Sequence, residues 1–60
     1  MAQTERILEA AYVCVARFGL AKTTIEDVAK VAGVSRASVY RAFPGGRDDL
    51  LRRTVVWEMD

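Results

Sequence analysis

Arg36, Ala37, Ser38, Tyr40 and Arg41 crowd one short stretch of this chain, with Ser35 just ahead of them, Thr24 upstream and Arg47 downstream. They are cations, hydroxyl donors and one small apolar side chain, and residues 35–47 contain no acid. Donors without a base hold an anion; they do not move a proton. Composition agrees. The chain has no histidine, which removes the commonest general base and the commonest metal ligand. Cys14 is its single cysteine, which excludes an internal disulfide and a cysteine-cluster metal site. The expectation is a binding protein, not an enzyme, with no catalytic residue, metal or cofactor.

Charge placement sharpens this. The formal net charge is only +1, and residues 1–34 balance Arg6, Arg17, Lys22 and Lys30 against Glu5, Glu9, Glu26 and Asp27. Arg36, Arg41 and Arg47 then stand without acids, while residues 48–60 set Arg52 and Arg53 against Asp48, Asp49, Glu58 and Asp60. Positive charge is concentrated in the middle of the chain, which favours a polyanionic partner.

The elements that must position these groups are helices. Sixty residues make one small domain, burying only about 60% of what its unfolded form exposes. Ile7, Leu8, Ala11, Cys14, Val15 and Phe18 recur at helical spacing and predict a first helix over about Thr4–Phe18, capped by Thr4 and ended by Gly19. Tyr12 and Val13 lie off that stripe, and Cys14 reads as a small core hydrophobe. Two capping boxes overlap next, Thr23 with Glu26 and Thr24 with Asp27, and either threonine can open the second helix. Its inward face is Ile25, Val28, Ala29 and Ala32, Gly33 ends it, and Val34 plugs the turn.

Ser35 caps a third helix that points Val39 and Phe43 inward and Ala37, Ser38, Tyr40 and Arg41 outward, with Arg36 at the edge. Phe43-Pro44-Gly45-Gly46-Arg47 breaks the chain. A fourth helix starts near Arg47, favoured by Asp48 and Asp49 at its positive end, with Leu50, Leu51, Thr54, Val55 and Trp57 on its apolar side.

Two helices joined by a glycine turn, the second presenting small and basic residues outward, are how a helix-turn-helix that reads duplex DNA is written, here over about residues 24–43. Ala37 and Ser38 let the backbone approach; Ser38 can bond a base edge, Ala37 can touch a thymine methyl, and Arg36 and Arg41 can pair guanine or settle on phosphates. Arg36, Ala37, Ser38 and Arg41 are therefore assigned to bases. Thr24, Tyr40 and Arg47 are assigned to phosphates, together with Ser35 at the start of the third helix.

The chain resembles the N-terminal domain of the TetR family of transcriptional regulators. The resemblance rests on Phe18-Gly19, Thr23-Thr24-Ile25-x-Asp27-Val28-Ala29, Ala32-Gly33-Val34-Ser35, Val39-Tyr40-x-x-Phe43 and Arg47-Asp48-Asp49-Leu50-Leu51. It implies an all-α fold: a three-helix, homeodomain-like bundle with a helix-turn-helix, plus the start of a fourth helix. It also implies that Thr24, Tyr40 and Arg47 match phosphate contacts, while Arg36, Ala37, Ser38 and Arg41 match the variable base-reading places. One departure stands out. Pro44-Gly45-Gly46-Arg47 is one residue longer than the family's usual loop, where a lysine commonly precedes the acidic pair; Arg47 keeps that lysine's charge.

By the same resemblance the partner is a double-stranded, palindromic DNA operator, bound by a homodimer of a full-length protein and weakly or not at all dimeric in this fragment. The activity is repression of transcription until a ligand releases the DNA. The ligand-binding and dimerisation domain lies outside residues 1–60, so no small-molecule site is expected in this chain. No apolar run approaches the roughly 20 residues needed to cross a bilayer, and no secretion signal is legible. A cytoplasmic, nucleoid-associated bacterial protein is expected. The competing expectation is a small helical module that docks a partner protein through Leu51, Val55, Val56, Trp57 and Met59 of the fourth helix.

Overall fold

The computed structural model describes the backbone of residues 3–59 and the side chains of residues 3–56. Four helices follow in order: α1 Gln3–Phe18, α2 Ile25–Ala32, α3 Arg36–Ala42 and α4 Arg47–Met59. Among the described residues there is no strand, and no helix is long and apolar enough to cross a membrane. α1 packs against α2 and α4, and α3 packs on α2. The core is one cluster drawn from all four helices, with Ile7, Ala11 and Cys14 of α1, Val28 of α2, Val39 of α3, Phe43 beyond it and Leu50 of α4 at its centre.

The caps explain where each helix begins and stops. Thr24 sits in extended conformation ahead of α2 and its hydroxyl accepts from the Asp27 amide at 3.1 Å, so Thr24 is the cap. Thr23 is buried instead, its hydroxyl donating to the Gly19 carbonyl at 2.8 Å. At the other end of α2, Gly33 is left-handed at φ 74. Its amide donates to the Lys30 carbonyl and the Val34 amide to that of Ala29, the paired closure that lets a helix stop without orphaned carbonyls. Val34 then packs partly buried against the core, as its place in the turn predicted.

Cys14 is fully buried and free. Loss of solvation pushes its thiol pKa up, Asp27 adds to the rise and Arg17 opposes it. That is the behaviour of a core hydrophobe.

Three expectations are corrected. Thr4 lies inside α1 rather than ahead of it, so it does not cap that helix. Phe18 is 46% exposed although it continues the α1 stripe, while Ala10, off the predicted list, is buried. Val55 is exposed too, and the buried side of α4 is Leu50, Leu51 and Thr54, whose hydroxyl returns to the Leu50 carbonyl at 2.7 Å. The side chains of Trp57 and Met59 lie outside the described residues.

Candidate nucleic-acid interface

α3 is seven residues long and is held by two buried anchors, Val39 and, one residue past its end, Phe43. Burying side chains of this size contributes about 1.5–3 kcal/mol each, enough to fix so short a helix that would not persist alone. Those anchors decide what faces out: Arg36, Ala37, Tyr40 and Arg41 are exposed. Neither Arg36 nor Arg41 forms an ion pair among the described residues, so both cations remain available to an anion from outside.

Ser38 differs from its neighbours in being half-buried. Ser35 Oγ accepts from the Ser38 amide at 3.1 Å, and the Ser35 hydroxyl donates to Ser38 Oγ at 3.1 Å. Ser35 is thus spent on capping, as predicted, and Ser38 keeps a hydroxyl proton to donate. Small side chains at 37 and 38 leave the first turn of α3 low, which is the condition for close approach to a groove.

Tyr40 stands 47% exposed. Its ring edge stands beside Gly46, where an added Cβ would come 3.7 Å from Tyr Cε1. Gly46 is left-handed at φ 77 and opens α4, accepting from the Leu50 amide at 3.0 Å. The preceding turn closes when the Gly46 amide donates to the Phe43 carbonyl at 2.9 Å, with Pro44 next in line, where its fixed φ suits a β-turn. Gly45 has no room for a side chain, because its Cβ would fall 2.6 Å from that of Asp49. The loop is therefore a tight turn packed on the first turn of α4.

Arg47 is half-buried, and its guanidinium faces back into the protein. Nε donates to the Thr23 carbonyl at 2.7 Å, while Nη2 donates to the carbonyls of Leu20 at 2.8 Å and Ala21 at 3.1 Å. Nη1 is left beside Asp48, at 3.8 Å. Sequence reasoning assigned Arg47 by charge and missed this clasp, whose partners lie 24 to 27 residues upstream with no local pattern to announce them. The structure thus brings Tyr40, Arg47 and the α1–α2 loop together and leaves Arg36, Ala37 and Arg41 on the open face of α3.

A short turn-linked helix pair that exposes small and basic residues defines a helix-turn-helix DNA-binding domain. Residues 7–54 match the family model for bacterial regulatory proteins of the tetR family, and the chain belongs to that family. It is similar to uncharacterized HTH-type transcriptional regulators of two strains of Mycobacterium tuberculosis, at 48% identity over 42 residues covering 70% of this chain. The same identity and coverage relate it to an uncharacterized HTH-type transcriptional regulator of Mycobacterium bovis. The chain spans 22% of the length of these curated relatives. No solved structure gives a significant match.

Proposed function

We propose that this chain is the operator-reading domain of a transcriptional repressor in the cytoplasm of a bacterium. α3 enters the major groove, with Arg36, Ala37, Ser38 and Arg41 reading base edges, while Thr24 and Tyr40 hold phosphates and Ser35, its hydroxyl already given to Ser38, has only its main chain to offer one. Arg47, with Nε and Nη2 turned to the α1–α2 loop, keeps only Nη1 for a phosphate. The observation that carries the reading is the division of α3: Val39 is buried at 0% relative exposure while Arg36, Ala37, Tyr40 and Arg41 share its solvent side. A core helix has no reason to gather two arginines and a tyrosine on one outward face.

Full-length relatives leave ample chain for a body that pairs two such heads on a palindromic operator. Pairing multiplies affinity through effective concentration, so an isolated head binds weakly and reads one half-site. Selection from a pool of randomised duplexes at low salt tests the reading. A recurring half-site a few base pairs long is expected. Recovery of unrelated sequences with equal affinity would leave a basic domain without a reader.

A further inference from the structure

We infer that Arg47 is a positioning residue for DNA binding: it clasps the α1–α2 loop and so sets Thr24, the cap of α2, relative to Tyr40 on α3, instead of gripping a phosphate itself. The inference rests on the proposed phosphate roles of Thr24 and Tyr40. Its physical basis is donor accounting. A guanidinium has five N–H groups, and the Nε–H with both Nη2 hydrogens form the set that meets three carbonyls here. Those carbonyls, of Leu20, Ala21 and Thr23, belong to the loop that delivers Thr24 to the head of α2. Turning the same edge to a phosphate would strip all three of their partner.

The other end of the link is as specific. Arg47 follows Gly46 directly, and the edge of the Tyr40 ring stands beside Gly46, 3.7 Å from where a Cβ would be. A continuous path therefore runs from Tyr40 through Gly46 and Arg47 to the loop and Thr24, joining two groups that must span one stretch of backbone. α3 itself packs on α2 and not closely on α4, so this path ties the start of α4 to both. Lysine cannot replace it: an ammonium is a point donor that cannot present a planar edge to three carbonyls at once. The family resemblance places a lysine at this point of the pattern, and here the arginine takes a role a lysine could not fill.

The test uses the 60-residue chain and a short mixed-sequence duplex at low salt. In the wild type, the Arg47 Nε–H should appear by NMR as a protected resonance that stays put when duplex is added, while the Nε–H signals of Arg36 and Arg41 shift. Arg47→Lys, measured at a temperature where circular dichroism shows it fully folded, should bind about tenfold more weakly, with an unchanged slope of log affinity against log salt. An unprotected Arg47 Nε–H, or one that shifts with duplex as those of Arg36 and Arg41 do, overturns the inference. So does a lysine variant that binds as tightly as wild type, whether or not its melting temperature falls. A salt slope that falls by about 0.9 in Arg47→Met, which removes the charge, would also overturn it by making Arg47 a phosphate contact. A wild-type chain that fails to bind duplex at all removes the function reading and this inference together, whereas every other failure falls on Arg47 alone.

Discussion

The hydroxyl of Thr24 accepts the amide of Asp27 at 3.1 Å, fixing the first turn of α2 from an exposed position. Its neighbour Thr23 is 1% exposed and sends its hydroxyl the other way, to Gly19. Adjacent residues of one type therefore have separable consequences. Thr24→Ala should cost about 1 kcal/mol of stability through the lost cap and also weaken DNA binding in the folded state. Thr23→Val keeps shape but leaves the Gly19 carbonyl without its donor, a loss of about 1–3 kcal/mol with DNA affinity per folded molecule unchanged. Urea melts beside duplex titrations separate the two.

On α3, Tyr40→Phe removes a hydroxyl but keeps the ring beside Gly46. Affinity should fall by a similar factor for every duplex. Arg36→Ala and Arg41→Ala should each relax preference at one base position by about 1–3 kcal/mol. Because both arginines are exposed, stability should move by less than about 0.5 kcal/mol. Binding arrays that vary one base pair at a time give both patterns, and equal loss across all sequences would move the arginines to the phosphate class.

How much of this was legible follows from range. Caps and stops were readable because each depends on neighbours: Ser35 with Ser38, and Gly33 with Lys30 and Ala29. The choice between Thr23 and Thr24 was not, since both spellings satisfy a capping box and only tertiary burial of Thr23 decides. Phe18 and Val55 were misjudged for a related reason. Periodicity gives the direction a side chain leaves its helix, but burial needs another element to cover it, and none does at those positions. The outward face of α3 was legible because Val39 and Phe43 leave only one orientation. The clasp of Arg47 joins points far apart in the chain and left no trace in spacing.

The loop before α4 should be intolerant of any side chain. Gly45→Ala forces the new methyl against Asp49, and Gly46→Ala makes an ordinary contact with Tyr40 but must hold φ 77, at about 1–2 kcal/mol. Gly33→Ala, also left-handed and unobstructed, should cost about the same. Thermal melts should rank Gly45→Ala at least as damaging as the other two; a neutral Gly45→Ala would mean that the turn and α4 separate easily.

The core leaves little margin. A domain of this size has about 3–9 kcal/mol of stability, and Phe43→Ala should remove about 3–5 of it. That variant should be largely unfolded at 37 °C by circular dichroism. Cys14 should resist alkylation in the native chain at neutral pH and react readily in urea. With its thiol pKa raised by folding, its contribution to stability is full below the ordinary thiol range and fades as pH climbs through the raised value. A native-state thiol that reacts at the unfolded rate would contradict its burial.

The central claim is that the exposed, basic face of α3 grips duplex DNA, and salt titration of duplex affinity meets it most directly. Each phosphate neutralised releases condensed counterion, so log affinity should fall linearly with log salt, at about −0.9 per phosphate contact. The slope should flatten in Arg36→Ala or Arg41→Ala if that arginine also rests on a phosphate. A chain that fails to bind duplex DNA even at low salt, or binds it with no salt dependence, would contradict the account.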